Sequence, residues 1–244
     1  MQRYFLPDSA IQDGHARLSG NDFHHVFRVM RKKPGDRLFV NDASGHAWIG
    51  EIEAFEGETA LVRLLEEAPG HPSLPVTIAQ GLIKRDAMEL MIEKAAEFGA
   101  EAVLPTAFLR SVVKIEDEET ARKKTERLGK IAKEASEQCH RAKALVVHPP
   151  LALRNLPFGE YDRIWVCYEA SGPEETLREA VKKASPAERI LVLVGPEGGI
   201  DPSEIAFLKT KNAEIVDLGE RILRAETASL YLLSVLSFLW EGAK

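Results

Sequence analysis

The sequence has little cysteine, with only Cys139 and Cys167 among 244 residues. Two cysteines without a C-x-x-C spacing form neither a disulfide framework nor a cysteine zinc site, so we expect a reducing compartment. The histidines also lack the spacing of metal ligands, and we therefore expect no metal. The N-terminus has no apolar stretch of signal-peptide length, which predicts a cytoplasmic location.

Long hydrophobic runs are also missing. The most apolar stretch, residues 228–240, is interrupted by Ser229, Ser234 and Ser237, and it is shorter than the roughly 20 residues that span a bilayer. We therefore expect no membrane insertion. If this stretch is helical, it is apolar on nearly every face, which predicts burial in a core or a subunit interface.

The sequence has fewer basic than acidic residues, which gives a formal net charge of −6. That balance argues against a protein that coats nucleic acid along its whole surface. The basic residues are nevertheless concentrated in two segments. Residues 24–37 contain five basic residues and one acidic residue, Asp36, and residues 122–143 contain eight basic residues and three glutamates. Both segments are candidates for phosphate binding. The second is also typical of a solvated helix face with i,i+4 ion pairs.

The first 70 residues are rich in short β-type runs separated by glycine turns, which predicts a small β-barrel. Within them, residues 21–31 fit a short helix that Asn21 or Asp22 caps and that Pro34 and Gly35 end. Three prolines in residues 68–75 predict a linker.

After this linker, strands and helices alternate, as in α/β domains with a mainly parallel sheet. Strands without polar alternation, such as 190–194, require helices on both faces of the sheet. The predicted strands are 76–82, 102–105, 145–147, 163–168, 190–194 and 213–218, and the predicted helices are 88–98, 120–141, 174–183, 202–211 and the apolar stretch 228–240.

A glycine turn at the end of one predicted strand is the sharpest local motif. Gly195-Pro-Glu-Gly-Gly follows the buried run 190–194, and Asp201, Pro202 and Glu204 then have the pattern of a capped helix start. Glycines let the backbone approach a ligand closely, and α/β sheets bind ligands at the carboxyl ends of their strands. The motif is neither a Walker loop nor G-x-G-x-x-G. A tight turn without a ligand is the alternative.

A second segment with polar chemistry follows the next strand. After Leu218 and Gly219, Arg221, Arg224 and Glu226 cluster before the terminal apolar helix. Read alone, this segment also fits a simpler interpretation, in which Thr227 is a helix N-cap and the arginines are surface charges.

Taken together and in order, several motifs resemble the bacterial 16S ribosomal RNA (uracil-N3) methyltransferase family of the SPOUT class. They are Tyr4-Phe5, His24-His25-Val-Phe-Arg-Val-Met-Arg, Pro34-Gly-Asp, Lys84, residues 88–99, Arg110-Ser111, Glu137-Gln-Cys, Gly195-Pro-Glu-Gly-Gly and Leu218-Gly-x-Arg-Ile-Leu-Arg-x-Glu-Thr-Ala. The sequence departs from the family at Glu220, Ala225 and His140, where proline, threonine and glycine are usual. Ala225 therefore supplies no hydroxyl beside the cofactor loop.

The resemblance implies an architecture and partners. Residues 1–70 would form a PUA-like RNA-binding β-barrel, and residues 71–244 a SPOUT methyltransferase domain with a C-terminal trefoil knot. The family acts as a homodimer, and its substrate would be 16S rRNA in the small ribosomal subunit.

The resemblance also implies a site that binds S-adenosylmethionine. Catalytic roles would fall to Arg224 and Glu226, unless these two form an ion pair that holds the loop. Cofactor binding would fall to Val194, Gly195, Pro196, Glu197, Gly198, Gly199, Leu218, Gly219, Ile222 and Leu223. RNA binding would fall to Arg28, Arg31, Lys32, Lys33, Lys84, Arg110 and Lys114.

Two other readings remain open at this point. An RNA-binding or ribosome-assembly factor without methyltransferase activity fits the same basic segments. A nucleotide-binding or dehydrogenase-like enzyme fits the glycine turn, but it requires the G-x-G-x-x-G fingerprint and a downstream acidic residue. Binding of S-adenosylmethionine separates the three.

Overall fold

A computed structural model describes residues 1–114, 117–169 and 175–241. The chain forms two compact units. The N-terminal unit contains residues 1–72 together with 136–144, and the C-terminal unit contains 73–135 and the chain from 145 onward. The predicted domain boundary after residue 70 would assign residues 136–144 to the second domain. In the structure this segment packs within the N-terminal unit, where Arg3 and Asn41 donate hydrogen bonds to its carbonyls.

The N-terminal unit is built on a six-stranded, mostly antiparallel sheet. Its strands are β1 (Arg3–Phe5), β2 (Ile11–Gln12), β3 (His15–Ser19), β4 (Arg37–Asn41), β5 (Ala47–Glu56) and β6 (Thr59–Glu67). They lie in the order β1-β4-β5-β6-β3-β2. Its buried core includes Tyr4, Leu18, Leu38, Val40, Ile52 and Val62. The β-rich character predicted for the first 70 residues is confirmed.

The short helix of this unit differs from its prediction. Helix α1 (Gly20–His24) begins after Ser19, so neither Asn21 nor Asp22 is its N-cap. A π-helical turn, His25–Val29, continues it. The helical path ends before Pro34 because Arg31 adopts a left-handed backbone conformation, with φ of 51°.

The C-terminal unit is built on an eight-stranded sheet in which every pairing is parallel. Its strands are β7 (Leu74–Gly81), β8 (Ala100–Ala107), β9 (Val146–Val147), β10 (Leu151–Ala152), β11 (Arg163–Cys167), β12 (Glu175–Thr176), β13 (Ile190–Val194) and β14 (Glu214–Asp217). The order is β10-β8-β7-β13-β11-β14-β12, with β9 paired to β8. The helices are α2 (Arg85–Glu97), α3 (Glu118–Gln138), α4 (Leu177–Lys183), α5 (Pro202–Lys209) and α6 (Ala225–Glu241).

Strand β13 shows why the sheet needs cover on both sides. Val192 and Val194 belong to one buried cluster, which includes residues of α2 and α6. Leu191 and Leu193 belong to the cluster on the other side, which includes residues of α5. A strand buried on both faces is apolar throughout. The predicted α/β class with a parallel sheet is confirmed.

Some predicted helix ends shift. The predicted helix 120–141 ends at Gln138, and the terminal helix begins at Ala225, before the predicted residue 228. Helix α4 begins at Leu177, and residue 174, where its start was predicted, lies outside the described residues. Among the helices of the described ranges, none has the length and apolar character to cross a bilayer.

Candidate active site

A cavity of about 800 Å³ opens in the C-terminal unit, where β11, β13 and β14 end. These three strands are parallel, so their carboxyl ends share one edge of the sheet. The cavity brings together most residues expected in the site: Lys84, Arg110, Val194, Gly195, Pro196, Glu197, Gly199, Leu218, Gly219, Ile222, Leu223, Arg224 and Glu226.

The remaining expected residues lie elsewhere. Gly198 does not line the cavity, and a Cβ on it would lie 2.8 Å from the backbone oxygen of Arg110. Its missing side chain therefore allows the loop of Arg110 to pack against the glycine turn. Lys114 is exposed and is not part of the cavity wall. The other expected RNA-binding residues, Arg28, Arg31, Lys32 and Lys33, belong to the N-terminal unit.

Close backbone approach shapes the glycine turn. The N–H of Gly199 donates to the carbonyl of Pro196 across 2.8 Å, and Gly199 has a φ of +72°. On the neighbouring strand, a Cβ on Gly81 would lie 2.4 Å from the nitrogen of Pro196. Only glycine leaves room for this contact. Sequence reasoning missed the role of Gly81, although this residue lies in the predicted strand 76–82 and ends β7 in the structure.

The helix that follows the turn begins as its sequence predicts. Asp201 is the N-cap of α5, Pro202 occupies the first turn, and Glu204 completes a capping box. The Asp201 carboxylate also accepts a hydrogen bond from Arg110, at 3.0 Å. Hydrogen bonds from Ser203 and the cation of Arg110 hold the pKa of Asp201 below its usual value. The carboxyl group of Asp201 is therefore ionised throughout the neutral range and available to the guanidinium of Arg110.

The second loop of the cavity runs from β14 to α6. Asp217 accepts a hydrogen bond from the N–H of Gly219, whose φ is +114°. Such a φ favours glycine. Thr227 lies inside α6 and is not its N-cap, because the helix begins at Ala225 and the N–H of Ala228 already donates to the carbonyl of Arg224.

Arg224 and Glu226 both face the cavity, yet they do not form an ion pair with each other or with another described residue. Arg224 is exposed and Glu226 is half-buried. No contact among the described residues supports the interpretation in which these two residues bind each other to hold the loop. Arg110, in contrast, is tied to Asp201, and Glu197 accepts a hydrogen bond from the N–H of Lys84 at 3.2 Å.

Several cavity residues escaped sequence reasoning, among them Cys167, Tyr168, Glu169, Asp217 and Ala228. Three of them, Cys167, Tyr168 and Glu169, end or follow β11. Their position at the carboxyl end of a predicted strand was the sequence signal that could have identified them. Burial raises the pKa of the Cys167 thiol to about 12. A neutral thiol is a poor nucleophile. No group of three metal-ligating side chains is present in the part of the chain that the structure describes.

Comparison with known proteins agrees with this geometry. Residues 70–237 match the RNA methyltransferase domain family, and residues 18–65 match the RNA methyltransferase PUA domain. The ribosomal RNA small subunit methyltransferase E of Bacillus subtilis is 34% identical over 99% of this chain and 98% of its own. The Synechocystis protein of the same name is 30% identical over 98% of this chain and 78% of its own.

A crystal structure of ribosomal RNA small subunit methyltransferase E from Neisseria gonorrhoeae, bound to S-adenosyl methionine, superposes with a TM-score of 0.83. It is 26% identical and covers 98% of both chains. The expected PUA-like domain and the family resemblance are confirmed. The chain therefore belongs to the ribosomal RNA small subunit methyltransferase E family of RNA methyltransferases.

Proposed function

We propose that this protein transfers the methyl group of S-adenosylmethionine to N3 of a uridine in 16S rRNA of the small ribosomal subunit. One observation carries the proposal. The glycine turn and the loop 218–223 line the same cavity as a cation and a carboxylate, Arg224 and Glu226, which form no ion pair with a described residue. A cofactor pocket and a pair of groups for proton removal therefore share one space.

The cavity fits the cofactor in size and chemistry. Its volume of about 800 Å³ lies within the range of pockets that hold ligands of this size. Val194, Leu218, Ile222 and Leu223 supply apolar surface of the kind that binds adenine, and the glycines leave backbone groups accessible. The Neisseria relative, which contains S-adenosyl methionine, supports this assignment.

The chain's own residues must align the acceptor base and remove its proton. S-adenosylmethionine, when bound, supplies a methyl group already activated by its sulfonium. A uracil N3 proton is weakly acidic, so a base must accept it while a cation stabilises the developing negative charge. We assign the base to Glu226 and the cation to Arg224.

Arg224 suits this role better than Arg110. The guanidinium of Arg110 already neutralises Asp201, whereas Arg224 has no carboxylate partner among the described residues. An unpaired cation is free to interact with a substrate anion. A covalent route through Cys167 is disfavoured because its raised pKa keeps the thiol protonated.

Binding of rRNA would use cations in both units. We propose phosphate contacts for Arg28, Arg31, Lys32 and Lys33 in the N-terminal unit, and for Lys84, Arg110 and Lys114 in the C-terminal unit. All seven are described, and their side chains carry the positive charge that phosphate binding needs. The protein would act in the cytoplasm, where it meets small ribosomal subunits.

We also propose a homodimer formed through α6. Tyr231, Phe238 and Leu239 on this helix are 41%, 80% and 46% exposed. Large apolar side chains that remain exposed on one helix are costly in water and favour a subunit interface. On the family resemblance, the C-terminal unit would have the SPOUT trefoil knot.

The function is tested with small ribosomal subunits that lack the modification. Incubation with labelled S-adenosylmethionine should transfer label to 16S rRNA, and mass spectrometry of the digested RNA should identify N3-methyluridine. Label at another base or atom contradicts the proposed specificity. Calorimetry without detectable S-adenosylmethionine binding would support the alternative, an assembly factor without methyltransferase activity.

A further inference from the structure

One exposed segment of the N-terminal unit combines apolar and basic side chains. We call residues 27–33 the platform segment. Phe27, Val29 and Met30 are 37%, 57% and 42% exposed, and Arg28, Arg31 and Lys33 beside them are exposed as well. Exposed apolar side chains gathered in one short segment indicate a binding surface.

The cations of this segment differ from other arginines of the same unit. Arg17, Arg37 and Arg63 each form an ion pair with a glutamate. In contrast, Arg28, Arg31, Lys32 and Lys33 form no ion pair with a described residue, although the carboxylate of Asp36 accepts a hydrogen bond from the backbone N–H of Lys33. Four neighbouring cations that no ion pair with a described residue neutralises are complementary to a polyanion.

The ring of Phe27 is held in place from inside the unit. It stacks on Phe23 with centroids 5.4 Å apart and planes inclined by 10°, and the ring of Phe55 meets it at 5.0 Å. The guanidinium carbon of Arg28 lies 5.1 Å from the centroid of Phe27. The π-helical turn, in which the N–H of Met30 donates to His25, fixes the backbone that carries both side chains.

We propose that Phe27 and the Arg28 guanidinium form a stacking platform for an unpaired base of the RNA substrate, with Arg31, Lys32 and Lys33 binding the adjoining phosphates. Aromatic rings and guanidinium planes are the usual stacking partners of splayed-out bases in single-stranded RNA. The bases of a regular duplex are stacked on one another and do not reach such a platform. This inference rests on the proposed function, which makes RNA the partner.

The test measures affinity for a 12-nucleotide single-stranded RNA of mixed sequence, by fluorescence anisotropy at several salt concentrations. Phe27→Leu keeps an apolar side chain against Phe23 and Phe55 but removes the aromatic face. We expect about tenfold weaker binding with an unchanged slope of log affinity against log salt, because no charge is lost. Phe27→Tyr should bind like the wild type.

Two controls separate stacking from other effects. Leu65→Ala removes an apolar side chain of similar exposure, 38%, from the same unit and should leave affinity unchanged. Lys33→Gln should flatten the salt slope by about one unit if its phosphate contact forms. Retained S-adenosylmethionine affinity in Phe27→Leu, measured by calorimetry, shows that the C-terminal unit is intact.

Several outcomes overturn the platform. The first is wild-type affinity in a folded Phe27→Leu protein, and the second is a Phe27→Leu variant that binds single-stranded and duplex RNA with equally weakened affinity. The third is a Phe27→Tyr variant whose affinity falls as much as that of Phe27→Leu. The fourth is a wild-type protein that binds single-stranded RNA no better than duplex RNA. Binding to vesicles of anionic lipid that requires Phe27, without an effect on RNA, assigns the segment to a membrane and also overturns it. A wild-type protein that binds the RNA through Phe27 but does not methylate small subunits contradicts the proposed function alone.

Discussion

The buried carboxylate of Glu204 accepts a hydrogen bond from the backbone N–H of Leu109, with 2.8 Å between Oε1 and N. Its second oxygen accepts the N–H of Asp201 at 3.1 Å. One side chain thus joins the first turn of α5 to the loop that carries Arg110. Gly198 allows the same close packing from the other side, since it leaves room for the Arg110 carbonyl.

Removing the Glu204 carboxylate should release the loop that carries Arg110. Glu204→Ala leaves two N–H groups without their partner, which we expect to cost about 1–3 kcal/mol in the free energy of unfolding. Methyl transfer should fall as well, because Arg110 lines the cavity. Urea denaturation and a turnover assay measure the two effects. Ser203→Ala, in the same turn, is the control, and equal behaviour of both variants would contradict the linking role.

Filling the cavity should block the cofactor. Ala228 lies in the first turns of α6 and lines the cavity, so Ala228→Phe places a ring in the proposed binding space. We expect S-adenosylmethionine affinity, measured by calorimetry, to fall at least about a hundredfold. Ala206→Phe on the exposed face of α5 adds the same ring outside the cavity. If both variants bind equally, the cofactor lies elsewhere. Gly198→Val is a less suitable test of cofactor binding, since the valine side chain would displace the backbone of Arg110.

The charge of Arg224 should serve turnover and not cofactor binding. Its guanidinium has no carboxylate partner among the described residues, so Arg224→Ala removes no internal ion pair. We expect a loss of methyl transfer of about a hundredfold or more, typical of a lost electrostatic contact to a developing anion, with S-adenosylmethionine affinity retained. Normal turnover on small subunits would exclude Arg224 and direct the search to Arg110 and Glu197. Parallel loss of cofactor affinity would indicate a structural role.

A charge on the apolar face of α6 should separate the subunits. Light scattering of the wild type should give about 54 kDa, twice the 27.1 kDa of one chain. Phe238 is 80% exposed, so Phe238→Glu should not disturb the fold of one chain, yet it would bury an unpaired carboxylate in an interface. We expect a mass near one chain. Val146→Glu, at a 47% exposed site on β9, should remain dimeric.

The thiol of Cys167 should resist alkylation. With its pKa raised to about 12, roughly one thiol in ten thousand is ionised at about pH 8. In a Cys139→Ala background, iodoacetamide should therefore label the folded protein far more slowly than the urea-unfolded protein, as mass spectrometry would show. The raised pKa stabilises the fold below the unfolded thiol's pKa of about 8.5, and this contribution is lost as pH rises toward 12. Rapid labelling of the folded protein would contradict the raised pKa of this thiol.

Local patterns predicted most of the C-terminal unit because their causes are local. The apolar run 190–194 became β13 with the same bounds, and Asp201, Pro202 and Glu204 formed the predicted capped start of α5. Predictions failed where a neighbouring element decides the outcome. The strands β1 and β3 were missed because their pairing with β4 and β6 stabilises them, more than their short sequences do.

The sequence by itself determined the alternation of strands and helices in the C-terminal unit, the glycine turn at a strand end, and the family, because each follows from residue types at close spacing. Only the tertiary structure decided which of these residues share a cavity. Strands β11, β13 and β14 are separated along the chain, and their parallel pairing brings Cys167, Val194 and Asp217 to one edge. It also decided that Gly198 lies against Arg110 and that Arg224 and Glu226 form no ion pair with a described residue, since such contacts depend on distances that no linear pattern contains.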